Sequence, residues 1–365
     1  MERAVAADLS VYLFFLGQGH SRERLALATV VEAEESAPQV PGASAVVSAE
    51  GLAAGTVGGG AVEAAAIRAA RAALARRSSR LLAFDLGNAY SAEAAAVCGG
   101  RMRILIDGDP EKHRPAFQAL FRAVRAGRSG VLATHVRTRP AAVLRRWFPE
   151  SFRGWASLSE PWRGCRREVE AAARMGRPVW EKRKAGWLYL EPHAPPPRLL
   201  IAGAGHVGRA VAWQGKRLGF EVTVIDDRPE LANAEAVPQA DRFIVGPAAR
   251  SLRRLRLGDD AYVVIVTRGH RHDAEALRAC LGRKAAYLGM IGSARKIGLM
   301  REEFLRRKWA GPEDWDRVHA PIGLPIGSRS VPEIAVSIAA ELVAVRRENA
   351  SRVPGEKRPP LSRKP

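Results

Sequence analysis

The chain has 365 residues, 47% of them hydrophobic, which is enough for two domains with cores of their own. Its longest apolar run near the start, Val11–Leu16, is far short of the ~20 residues of a membrane span. Glu2, Arg3 and Asp8 ahead of it do not suit a signal peptide. A formal charge of +20 raises the question of nucleic acid, but the charge is uneven. Residues 121–190 hold 16 Lys/Arg against 5 Asp/Glu, and the tail 346–365 holds 7 against 2. That pattern reads as a solvated basic linker and tail, with no nucleic-acid partner expected. The three cysteines, Cys98, Cys165 and Cys280, form no C-x-x-C pair, so neither a disulfide framework nor a structural zinc site is expected. A soluble protein of the reducing cytoplasm is the expectation.

In chain order, residues 25–31 (LALATVV) predict a strand, and Ala45–Val47 a second one before a turn at Gly51. Glu63–Arg77 is Ala-rich without Gly or Pro and predicts a helix. Arg103–Asp107 reads as strand and Pro115–Arg125 as helix. These make a small N-terminal α/β domain over 1–125. Residues 126–197 are poorly patterned, with strands only at Val131–Thr134 and Trp187–Glu191, and read as a basic connecting segment. Pro195, Pro196 and Pro197 cannot continue a helix and mark a boundary. From 198 to 345 strand and helix alternate: strands at 198–202, 221–226, 243–245, 262–267 and 286–290, helices at 206–219 and 272–282. Such alternation predicts a doubly wound parallel sheet, a Rossmann-like domain. The tail 346–365 holds four prolines among charged and polar residues and reads as disordered.

The motif Gly203-Ala204-Gly205-His206-Val207-Gly208 fits G-x-G-x-x-G between an apolar strand and a helix. Gly203 allows the tight turn, Gly205 lets the backbone approach a pyrophosphate, and Gly208 lets the helix pack on the strand. Asp226 ends the next strand, where an acid accepts hydrogen bonds from a ribose diol. Arg228, two residues on, offers a 2′-phosphate partner instead, so NAD, NADP and other adenine nucleotides all stay open. His206 either contacts the ligand or caps the helix. Thr267, Arg268 and His270 follow a strand at the edge where such sheets bind ligands. Asp273 reads as a helix cap or as an orienter of His270. Gly289, Gly292, Ser293 and Lys296 form a second strand-to-helix turn that suits an anion. In the first half, Gly58, Gly59 and Gly60 precede the Ala-rich helix and Glu63. Three glycines there suit an anion at a helix N-terminus, or else a flexible turn.

Taken together, these motifs resemble the XdhC/CoxI family of xanthine dehydrogenase accessory factors. The resemblance rests on SAPQVPGA, GTVGGGAVE and CGG in the first half. In the second half it rests on GAGHVG, IDDR, TRGHRHD, GMIGSARK, and PIGL followed by PEIAVSIAAE. It implies an accessory protein that binds the molybdenum cofactor, a molybdopterin, assists its sulfuration and delivers it to a molybdenum hydroxylase of the xanthine dehydrogenase type. A cysteine desulfurase partner and a homodimer are implied as well. Within that resemblance the glycine loop cradles the pterin phosphate. One departure stands out: where the family commonly has Cys after the three glycines, this chain has Ala61. No thiolate reaches molybdenum from that position. Cys98 remains, as either a cofactor-facing thiol or a small buried residue. The fingerprint alone also fits an NAD(P)-dependent oxidoreductase using His270 or Lys296 as acid–base group, or a nucleotide-sensing regulator without chemistry.

Overall fold

A computed structural model describes residues 9–17, 23–34, 37–85, 100–138 and 141–351. The chain forms two compact units, Met1–Pro195 and Pro196–Pro365. Cys98, Glu35 and Ser36 lie outside the described residues.

The first unit opens with helix α1 (Leu9–Gly17), then strands β1 (Ala26–Ala33), β2 (Ser44–Val47) and β3 (Leu52–Gly55). Helix α2 (Gly60–Arg76), strands β4 (Ser79–Asp85) and β5 (Arg101–Asp107), and helix α3 (Arg114–Arg125) follow. The strands make one antiparallel sheet in the order β3-β2-β1-β5-β4. One face of β1 puts Ala26, Ala28 and Val30 against Ala66, Ala70 and Ala73 of α2. Small side chains on both sides let helix and sheet approach closely. The other face puts Leu25 and Leu27 against Tyr12 and Phe15 of α1 and Phe117 and Leu120 of α3. Burial on both faces is why β1 reads as a continuous apolar run rather than an alternating one.

The stretch 126–197 holds far more structure than a connector. Strands β6 (Gly130–Thr138) and β7 (Ala141–Pro149), helix α4 (Arg166–Met175), and strands β8 (Val179–Arg183) and β9 (Gly186–His193) form it. The antiparallel sheet runs β7-β6-β9-β8. Residues 130–136 of β6 are all buried, so no period of two is visible in the sequence. Phe148 stacks on Trp155 with centroids 4.9 Å apart, and Trp162, Cys165 and Val169 complete that core.

The second unit is the doubly wound Rossmann sheet. Its elements are β10 (Arg198–Ala202), α5 (His206–Arg217), β11 (Glu221–Asp226), β12 (Arg242–Val245), α6 (Ala248–Arg254), β13 (Ala261–Ile265) and α7 (His270–Cys280). Strand β14 (Tyr287–Met290) and helices α8 (Ala294–Arg306), α9 (Pro312–Trp315) and α10 (Val331–Ser351) complete it. All five strands are parallel, in the order β12-β11-β10-β13-β14. Leu199 and Ile201 point to α5 and α10; Leu200 and Ala202 point to α6, α7 and α8. The order reverses between β10 and β13, and the crevice at a switch point of this kind is where such sheets bind ligands. Residues 346–351, read as the start of a disordered tail, continue α10. Arg346 donates to the carbonyl of Leu218 at 2.8 Å and lies over the Phe220 ring. Among the described residues no helix is long and apolar enough to cross a membrane.

Candidate functional site

The loops leaving β10, β11, β13 and β14 share the carboxyl edge of the Rossmann sheet. Gly203 sits at φ +115°, where a Cβ would come within 2.3 Å of the carbonyl oxygen of Val266, just past the end of the neighbouring strand β13. A Cβ on Gly208 would stand 1.9 Å from the Gly203 carbonyl oxygen. These two glycines are demanded by the fold itself. Gly205 differs: it is the N-cap of α5, and a Cβ there would meet nothing within 4 Å. The open face of the turn is the one a phosphate would occupy.

Asp226 and Arg228, read as alternatives, are joined. The Asp226 Oδ1 accepts from the Arg228 N–H at 3.1 Å and its Nε at 2.8 Å. Its Oδ2 accepts from the Ala204 N–H at 2.7 Å and from Arg228 Nη2 at 3.0 Å. Burial alone would raise this carboxyl, but the guanidinium and the two backbone donors outweigh it and hold the pKa at about 2. Asp226 therefore ties the strand end to the glycine turn, and a ribose reaching it must displace Arg228. Arg268 crosses from the β13 loop to pair with Asp227 at 2.9 Å.

Thr267 gives both its N–H and its hydroxyl to Asp273 Oδ1, at 2.9 and 2.6 Å. Burial pushes the Asp273 carboxyl up despite these donors. Gly269, not Asp273, is the N-cap of α7, and Asp273 instead pins the Thr267 loop from the first turn. His206 and His270 are exposed at the first positions of α5 and α7, and His206 makes no capping bond. Ser293 caps α8, its Oγ accepting from the Lys296 N–H at 3.4 Å, while the Lys296 side chain is exposed. Gly289 is explained by packing: a Cβ there would meet Tyr287 and Ile322.

A buried acid under this edge escaped the sequence reading. Glu341, 1% exposed, accepts from the Tyr287 hydroxyl at 2.5 Å and the Gly323 N–H at 2.8 Å, and pairs with His319 Nδ1 at 3.0 Å. Burial works against its charge, but His319 and the other donors lower its pKa. Its signal was available: Glu341 falls on the same helical stripe as Ile338 and Leu342, where a charge is out of place without partners. The PIGL segment thereby acquires a reason, since it delivers the Gly323 N–H to that acid.

In the first unit, Gly59 is the N-cap of α2, and Gly58 and Gly60 take φ of +143° and +55°. A Cβ on Gly59 or Gly60 would meet nothing within 4 Å. Glu63 is turned into the loop: its Oε1 accepts from the Thr56 hydroxyl at 2.5 Å and the Val57 N–H at 3.3 Å. The Gly58 N–H in turn donates to Thr56 Oγ1 at 3.1 Å. Glu63 thus shapes the glycine loop, and the open backbone before α2 is left for an anion. Deeper in this unit, Asp107 and Arg145 form a buried ion pair, and the Tyr12 hydroxyl donates to Glu191 at 2.9 Å. Neither pair was visible in the sequence, because their partners lie 38 and 179 residues apart.

Residues 20–85 match the XdhC and CoxI family, and residues 199–342 match the XdhC Rossmann domain. Two relatives align over most of the chain. A probable xanthine dehydrogenase subunit from Bacillus subtilis (strain 168) is 24% identical over 331 residues, 90% of this chain and 95% of that one. The molybdenum cofactor insertion chaperone PaoD of Escherichia coli (strain K12) is 24% identical over 323 residues, 88% and 83% of the two chains. The protein YqeB of the same strain is 34% identical over 160 residues, a match spanning 44% of this chain and 29% of YqeB. A crystal structure of a xanthine dehydrogenase from Bacillus halodurans superposes with a TM-score of 0.74 at 22% identity, covering 92% of this chain and 96% of that one.

Proposed function

The chain belongs to the XdhC/CoxI family, and we propose on that footing that it is an accessory protein that binds the molybdenum cofactor, assists its sulfuration and inserts it into a molybdenum hydroxylase of the xanthine dehydrogenase type. The observation that carries this reading is the near end-to-end alignment with PaoD, named as a molybdenum cofactor insertion chaperone. The first unit supplies a fitting cradle. The Gly58–Gly60 backbone at the α2 N-terminus is open, and Glu63 holds its shape. That geometry suits the pterin phosphate of the cargo. It offers nothing to the metal, since Ala61 has no ligand atom. Cys98 is the one candidate thiol on this reading. Cys165 and Cys280 are buried, and burial pushes their pKa values up to about 11 and about 12.

The Rossmann unit on this reading binds NAD(P) or another adenine nucleotide through Gly203, Gly205 and Gly208. Its role is regulatory or supporting. Arg228 and Arg268 release their aspartates as the ligand enters. Against an oxidoreductase, no hydrogen bond from a described residue orients the His270 ring or the Lys296 ammonium for proton transfer. A cytoplasmic homodimer that docks a hydroxylase and a cysteine desulfurase completes the proposal. The test is transfer. Protein purified from cells that make the cofactor, mixed with an apo molybdenum hydroxylase, should restore its activity. The Cys98→Ser variant should carry less pterin. No restoration by a cofactor-loaded sample would overturn the delivery role, and an unchanged pterin content would rule out a cofactor role for Cys98.

A further inference from the structure

Toward the C-terminal end of α2, Arg68, Arg71 and Ala75 line a concavity of about 410 Å³ with Leu74, Arg24 and Ala49. Positions 68, 71 and 75 recur at helical spacing and share one face. Arg24 lies two residues before β1 and Ala49 two residues after β2, beside the last paired positions Ala26 and Val47. Both line the same concavity as the α2 residues. Two separate elements thus bring three guanidinium groups to one bowl.

None of these three arginines forms an ion pair or hydrogen bond with another described residue, whereas Arg103, Arg114, Arg145 and Arg166 of the same unit are all paired. The acids next to Arg24 and Ala49 in sequence, Glu23 and Glu50, line a different concavity of about 310 Å³ together with Phe14 and Leu52, and Glu63, nearest to Arg68, is turned to Thr56 and Val57. Three like charges that line one concavity without an ion pair to a described residue repel one another in a chain that is already strongly basic. An anion bound among them removes that cost. The size lies within the range of small-ligand sites, and the floor of Leu74, Ala49 and Ala75 is apolar. Guanidinium forks match phosphate oxygens in pairs, which a lysine ammonium does not do.

We propose that this bowl is a second anion site, separate from the glycine loop and from the Rossmann turn, that takes the phosphate or pyrophosphate of a small ligand with an apolar or planar body. Pyrophosphate is the probe, titrated calorimetrically into the full chain at low and at physiological salt. Binding should include one equivalent that depends on these arginines, weaker as salt rises. The Arg68→Ala/Arg71→Ala variant should bind at least tenfold more weakly with an unchanged circular dichroism spectrum. Arg24→Gln, exposed and outside the helix, repeats the test if that double variant does not fold. Gly205→Val, which removes the Rossmann turn as a competing anion site, should keep the arginine-dependent part of the pyrophosphate binding. Absence of binding, or affinity indifferent to the arginine changes, would overturn the proposal. So would loss of binding in Gly205→Val, which would place the anion at the Rossmann turn. A hexaglutamate peptide that binds more tightly than pyrophosphate would overturn it too, by making the bowl a contact for an acidic protein segment.

Discussion

Asp226 links three things at once: the end of β11, the glycine turn through Ala204, and Arg228. Its carboxyl lies at about 2 in the folded chain, against ~3.9 for an unperturbed aspartate. A depressed carboxyl contributes stability that is fully present above pH ~4 and lost as pH falls through its folded value. Urea unfolding from pH 6 to pH 2 should therefore show Asp226→Asn less stable at neutral pH, with the gap closing in acid. A gap that does not change with pH would mean the charge is not what stabilises. The glycines divide the same way. Gly208→Ala sets a Cβ against the Gly203 carbonyl and should destabilise the unit by more than ~3 kcal/mol. Gly205→Val meets no clash and should stay folded while nucleotide binding is lost, measured by calorimetry beside a thermal melt. Sequence alone disclosed these glycines because their reasons are local. It also disclosed Asp226 and Arg228, but not their union. Whether two residues at that spacing compete for a ligand or hold each other depends on where the side chains turn.

Helix α2 is set by its neighbours at both ends. Its N-terminus is shaped by the relay from Gly58 through Thr56 to Glu63. Glu63→Ala should leave the helix formed but let the loop open. Amide exchange at residues 56–60 should quicken, and the retained pterin should fall severalfold. Unchanged exchange would show that Glu63 does not hold the loop. Helix α10 depends on Glu341 in a harsher way. Glu341→Ala leaves His319, the Tyr287 hydroxyl and the Gly323 N–H without that acceptor in the core, at a cost of about 3–5 kcal/mol in urea unfolding. The elements that were hard to read share a physical cause. Strands β6 to β9 are covered on both faces or carry arginines whose acids lie elsewhere, so neither alternation nor charge marked them. Strands β10 and β11 were legible because parallel strands buried on both faces are short apolar runs bounded by turn residues, with helices between them.

For the molecule as a whole, the two units divide the proposed work. The first presents an open helix N-terminus on a glycine loop and supplies no metal ligand at Ala61. The second presents a glycine turn with an open face, beside two arginine–aspartate pairs. The order of motifs along the chain carried the family, while the spatial partners of the buried charges needed the fold. Delivery of a molybdenum cofactor requires first that the protein hold one. The most direct measurement is the molybdopterin content of the protein purified from cells that make the cofactor, by oxidation to the fluorescent pterin. The parent is expected to carry up to one pterin per chain, and a variant with valine at Gly59, whose backbone is extended and whose Cβ direction is open, is expected to carry at least tenfold less while remaining folded. A parent that carries no pterin but binds and turns over NAD(P)H would contradict the accessory role and establish an oxidoreductase in its place.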